Sequence, residues 1–222
     1  MDQHADPAPR SFDGVGRPAP IAELIPPRIA PEESDPALRD VLRAATQDVH
    51  DRLHRHAGFA AIQDATIGRA EYRRLIGRLY GFYLPFEAAA SISPDRSTWL
   101  GHDLEALGRG RPRYALPKCP HIPRLDSAHS RLGALYVVEG SALGGRELAR
   151  NLDRLLGKDV AQGRRFFIGR GQKTGEAWRG YLAQLAAASS DPSARAEIIN
   201  GAVETFAAFE RWLDGWSNVS HG

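Results

Sequence analysis

The amino-acid sequence predicts an all-α protein built as a single multi-helical domain. Three observations carry that expectation. Apolar residues recur at spacings of three and four along most of the chain beyond residue 35, the rhythm of helices with one buried face. No segment alternates apolar with polar residues as a half-buried strand would. No stretch repeats internally. The chain has 222 residues and is 42% hydrophobic, which suits one domain with a sizeable core and some tail.

Residues 1–35 are rich in proline, with Gly, Asp and Ser between, and "PPRIAPEESDP" cannot hold a helix. This segment is predicted to be a disordered tail. The helical domain is predicted over 36–217, with 218–222 as a short C-terminal tail. Asp35-Pro36 reads as an N-cap and first-turn pair. Leu38, Val41, Leu42, Ala45, Val49 and Leu53 then mark the first helix, with the apolar stripe centred on Ala45 and Val49. A second helix is expected from about Arg69 through "EYRRLIGRLYGFYLPFEAAA", kinked or divided at Pro85. A shorter one covers about 97–108. "GRGRPRYALPKCPHIP" is a Gly/Pro-rich loop. Helical rhythm returns over 125–156. A second irregular region follows, and the last helices are placed at about 174–188 and 192–216. Asp191-Pro192 opens the final helix as Asp35-Pro36 opens the first.

Composition excludes several classes. Lys and Arg total 29 against 27 Asp and Glu, a formal charge of +2, without the dense basic stripe of a nucleic-acid binder. Cys119 is alone, so no internal disulfide forms, which suits a reducing, cytoplasmic setting. The first residues are polar and acidic, unlike a secretory signal. No run of about 18 apolar residues exists, so no membrane span is expected.

Two constellations could carry chemistry. On the first helix His50 lies at the edge of the apolar stripe, with Arg43, Thr46 and Gln47 one and two turns earlier on the same side. An imidazole can ligate haem iron, and a guanidinium can pair with a carboxylate. Taken alone, His50 reads equally as a hydrogen-bonded boundary histidine. "HDRLHRH" also puts His50 and His54 four apart, but the sequence of a zinc protease helix is absent. The second constellation is "VVEGSALGG", with Gly140, Gly144 and Gly145 inside helical rhythm. A glycine there costs about 1 kcal/mol relative to alanine. Gly133, Val137, Gly140 and Gly144 form one narrow stripe, with Ser141 beside it. Such a bare stripe accepts either a closely packed helix or a flat ligand, and the Gly144-Gly145 pair predicts a bend or loosening.

"LRAATQDVHDRLH" at 42–54 resembles the proximal helix of haem oxygenases. "YVVEGSALGG" at 136–145 resembles the distal helix of their bacterial biliverdin-producing group, and "WRGYLAQL…ETFAAFERWL" is similar to the ending. The resemblance covers roughly 38–216. It implies a haem held between the two helices, as substrate and prosthetic group, with His50 as the axial iron ligand. It implies a catalytic distal face made of Gly140, Ser141, Gly144 and Gly145. Arg43 and Arg179 fall where the family binds propionates, and Thr46, Gln47, Tyr136, Val137 and Phe206 are placed around the ring. One departure stands out: Ser141 occupies the place where mammalian members carry Asp, so proton delivery would rest on ordered water, Ser141 and backbone carbonyls.

The implied activity is oxidative cleavage of haem to biliverdin, CO and ferrous iron with dioxygen and external electrons. No flavin or nucleotide motif is present, so a ferredoxin or flavoprotein reductase is the implied donor. "GRGRPR" and the "GRR" at 163–165 could dock it or be solvated loop charge. A biliverdin-using photoreceptor and an iron-acquisition route are both open downstream. Two other readings are a tetrapyrrole carrier or sensor that leaves haem intact, and a helical adaptor without haem.

Overall fold

The computed structural model describes residues 36–216 apart from 109, 111, 159 and 189. The expected tails, the Asp35 cap and two arginines of "GRGRPR" lie outside the described residues. Among the described residues there are nine α-helices and no strand. They are α1 (Pro36–His54), α2 (Ala57–Gln63), α3 (Arg69–Ala90), α4 (Asp95–Ala106), α5 (Ala128–Asn151), α6 (Asp153–Leu156), α7 (Arg165–Ile168), α8 (Thr174–Ala188) and α9 (Pro192–Asp214).

The stripe on α1 differs from the expected one. Leu38, Leu42 and Leu53 are buried with Thr46, while Ala45 is exposed and Val49 half-buried. Alanine gives little apolar area, so the leucines decide which face turns inward. Helix α2, too short to show a period, was not expected. It is fixed by His56, whose Nδ1 accepts from the Gly58 amide at 3.2 Å while Nε2 lies 3.3 Å from the Leu213 carbonyl oxygen.

Helix α3 runs undivided through Pro85. Proline has no N–H, so the carbonyl four residues earlier loses its helical donor. That carbonyl, on Gly81, instead accepts from the Cys119 amide at 2.8 Å. The α4–α5 connection is thus tied to α3 where the helical ladder has a gap. Helix α4 begins two residues before its expected start, because the Glu87 carboxylate, 1% exposed, accepts from the Arg96 and Ser97 amides at 2.8 and 3.1 Å. The irregular region before α8 contains α7, whose Arg165 and Phe166 amides donate to Asp103 at 2.7 and 2.8 Å.

Helices α5 and α9 form the central pair. A Cβ at Gly133 would overlap the Ile198 carbonyl oxygen, and one at Gly201 would overlap that of Ser130. The two backbones touch, so both positions require glycine. Asp191 caps α9, its carboxylate accepting from the Ser193 amide at 2.9 Å. Helix α1 packs on α9 from another side. There Arg52 grips Glu210 through Nε and Nη2 at 2.5 and 2.9 Å.

Candidate functional site

Both motif helices rest on α9. Thr46, 3% exposed, donates from Oγ1 to the Leu42 carbonyl at 2.7 Å, with the Tyr136 phenol of α5 beside it. Burial pushes the Tyr136 phenol above its ordinary pKa, so it stays protonated. His50 lies one turn beyond Thr46 on α1, and Gly140 lies one turn beyond Tyr136 on α5.

On α1, Arg43, Gln47, His50 and His54 follow one another along a solvent-reaching stripe. The His50 side chain is 50% exposed, and its ring meets the edge of Phe206 on α9 at a centroid distance of 6.5 Å. Its Nε2 faces His54 Nε2 at 3.3 Å, and its Nδ1 lies 3.7 Å from Asp51, which also accepts from Gln47 Nε2 at 2.7 Å. Partial burial, then the neighbouring His54, hold the His50 imidazole below its ordinary pKa. A neutral imidazole has the lone pair that metal ligation needs.

On α5, the glycines divide by what each one faces. Gly133 is consumed by packing against α9, so the expected single stripe has two functions. Gly145 faces α7: a Cβ there would sit 2.7 Å from the Phe167 carbonyl oxygen. Gly140 has as its nearest neighbour the Trp178 ring, at 3.7 Å from an added Cβ, and Gly144 has nothing within 4 Å. Val137 is buried, so it belongs to the core side of this face. The expected loosening at the paired glycines is absent as a break: α5 is helical without interruption from Ala128 to Asn151.

Ser141 sits beside this open face. Its Oγ donates to the Val138 carbonyl at 3.1 Å and lies beside the Tyr83 phenol of α3. Tyr83 is 5% exposed, and burial raises its pKa, so it is a neutral phenol. Below, Glu139 accepts from Arg96 Nη2 at 2.7 Å and from Arg170 Nη1 at 2.8 Å. Glu139 and Arg96 are 9% and 5% exposed, so this pair is buried and each partner satisfies the other. Sequence reasoning missed Tyr83, Arg96, Glu139 and Arg170. The legible signal was Glu139 itself, a carboxylate between Val138 and Gly140 on a core-facing helix, where an unpaired charge is not tolerated.

Arg43 and Arg179 are exposed, on α1 and α8 respectively. Concavities of 440 and 350 Å³ lie elsewhere: one beside Thr66, Asn151 and Arg154, the other beside Arg73, Arg113 and Tyr114. Neither includes His50, Gly140 or Gly144. No group of three or more metal-ligating side chains occurs among the described residues. The donor set suits a planar macrocycle that brings its own metal: one neutral imidazole on α1, and on α5 a Gly144 where an added methyl group would meet nothing within 4 Å, one turn beyond a Gly140 that lies against the Trp178 ring.

The described residues form an all-α bundle with these two helices resting on α9. The Heme oxygenase family model matches residues 37–215, and the chain belongs to the haem oxygenase family. A heme oxygenase of Xanthomonas campestris pv. campestris is 37% identical over 91 residues, which are 41% of this chain and 54% of that relative. The match thus spans about half the length of that protein. Among solved structures, the heme oxygenase of Leptospira interrogans superimposes with a TM-score of 0.63 at 17% identity, over 79% of this chain and 98% of that one. That of Neisseria meningitidis, solved bound to NO and CO, gives 0.63 at 22% identity, over 82% and 93%. The cyanobacterial enzyme from Synechocystis, solved with heme, gives 0.60 at 16%, over 82% and 92%. These likenesses place the fold, and no described helix is long and apolar enough to cross a membrane.

Proposed function

We propose that this protein is a haem oxygenase that cleaves haem to biliverdin, CO and ferrous iron. The observation that carries the reading is a neutral His50 imidazole on α1 together with the open Gly144 position on α5, two helices supported by α9. Haem, when bound, supplies the oxygen-activating iron and is itself the carbon skeleton that is oxidised.

The chain's own residues bind, orient and protonate. His50 Nε2 would hold the haem iron, and imidazole is a weaker electron donor than thiolate. Gly140 and Gly144 let the α5 backbone lie against the ring. Arg43 and Arg179 supply guanidinium groups to propionate carboxylates and so fix in-plane rotation. Phe206, Thr46, Gln47, Tyr136 and Val137 support the walls. Tyr83 lies beside Ser141 from the protein side, giving the distal face a hydroxyl pair that can order water and hold a proton at Ser141 Oγ. This hydroxyl pair stands where mammalian members of the family carry a carboxylate. Electrons come from a ferredoxin or flavoprotein reductase, in a reducing cytoplasm, consistent with a single buried cysteine.

Hemin titration tests the reading. A Soret band should form at one equivalent. Ascorbate or a ferredoxin system under air should then bleach it and raise a broad red biliverdin absorption. His50→Ala should abolish turnover. A Soret band that survives repeated reduction would favour the non-degrading carrier, and no band at all would favour the adaptor.

A further inference from the structure

The second imidazole of α1 has no part in the proposed reaction, yet it sits on the atom the iron would need. We propose that, before haem binds, His50 and His54 form a two-nitrogen chelate for a divalent transition-metal cation such as Zn²⁺, and that this cation and haem exclude one another. The exclusion rests on the reading of His50 as the iron ligand; the chelate itself does not.

The geometry is specific. The two Nε2 atoms are 3.3 Å apart and the ring centroids 4.4 Å apart. With metal–nitrogen bonds of about 2.05 Å, that separation subtends about 107° at the metal, close to the tetrahedral angle. The spacing of four residues on one helix holds both rings on one face. Two nitrogens at this distance are close enough to ligate one cation together. His54 is exposed and His50 half-exposed, so the face is reachable from solvent.

The surroundings explain why such a site would be exchangeable. Asp51 lies 3.7 Å from His50 Nδ1, on the far side of the ring from the cation, where it orients the imidazole and raises its basicity. Arg43 opposes a bound cation electrostatically. From α9, the Phe206 ring offers an edge and no donor. With no third protein donor among the described residues, water completes the coordination. A cation held by two nitrogens and water leaves more readily than one in a closed four-ligand site.

Calorimetric titration of the haem-free full chain with Zn²⁺ tests the chelate. The wild type should take up one equivalent, and His54→Ala should weaken that binding by at least about tenfold. His54 is exposed, so its removal leaves the fold intact, as circular dichroism would verify. Unchanged Zn²⁺ binding in His54→Ala overturns the chelate. Hemin titration followed at the Soret band then tests exclusion. Saturating Zn²⁺ should weaken hemin binding several-fold in the wild type and leave it unchanged in His54→Ala. Hemin binding indifferent to Zn²⁺ in the wild type overturns the exclusion. Zn²⁺ bound through His54 with no Soret band under any condition supports the chelate and overturns the haem reading instead.

Discussion

Helices α1 and α5 lean on the same support, α9, and are attached to it by opposite means. Helix α5 is fixed by main chain: Gly133 against Ile198, Gly201 against Ser130, and Gly145 against Phe167 of α7. A buried carboxylate with two guanidinium partners adds to this. Helix α1 is attached through side chains: Leu38, Leu42 and Leu53 are buried in the core, and Arg52 pairs with Glu210 at the surface. That pair is 53% and 22% exposed, and exposed pairs hold weakly. One helix is held by close backbone approach and the other by leucine side chains.

The comparison can be broken most severely at Gly133. Gly133→Ala forces a methyl group into the Ile198 carbonyl, and α5 must part from α9. We expect a loss of more than about 3 kcal/mol, read as a collapse of the urea midpoint. Gly133→Ala folding with a normal midpoint would mean that α5 is not held by backbone contact. Next comes the buried charge pair. Arg96→Met leaves Glu139 without its most buried partner and should cost about 3–5 kcal/mol, measured by the same unfolding curves.

A smaller effect is expected from pH. Burial pushes the Asp103 carboxyl up to about 6 from 3.8, against the pull of the two α7 amides. The folded protein then takes up a proton between those values that the unfolded chain does not. This group's contribution is fully present below about pH 3.8 and is lost as pH rises through 6. The loss is at most about 3 kcal/mol, at 1.36 kcal/mol per pH unit. Stability of the wild type should fall across that window relative to Asp103→Asn; parallel curves would remove Asp103 as the cause. The smallest change sharpens the contrast best. Gly144→Ala meets no atom within 4 Å and should stabilise the fold by about 1 kcal/mol while weakening hemin binding. A variant that is stabilised and binds hemin normally would show that the open face is not a ligand surface.

Long periodic helices were legible because leucine spacing alone determines them; α8 matches its expected bounds. Misreadings arose where one residue type admits two environments. Ala45 counted toward the stripe but is exposed. Pro85 suggested a kink or a break; the helix is not divided there, and the displaced carbonyl found a donor in Cys119. The glycines of α5 look alike in sequence, and only their neighbours separate Gly133, pressed on α9, from Gly144, which faces open space. The Arg96–Glu139–Arg170 cluster joins residues 43 and 31 positions apart, beyond any local pattern. His50 could be named as a ligand candidate from its motif, but its contact with His54 depends on rotamers that the sequence does not fix.

The seam between Gly81 and Cys119 has a wider consequence. A pyrrolidine ring inside α3 serves as a mooring: the hydrogen it lacks creates a vacancy that a distant segment of chain fills. Any insertion or deletion between α4 and α5 must preserve the berth at Cys119, so length variation in that connection is confined to either side of it.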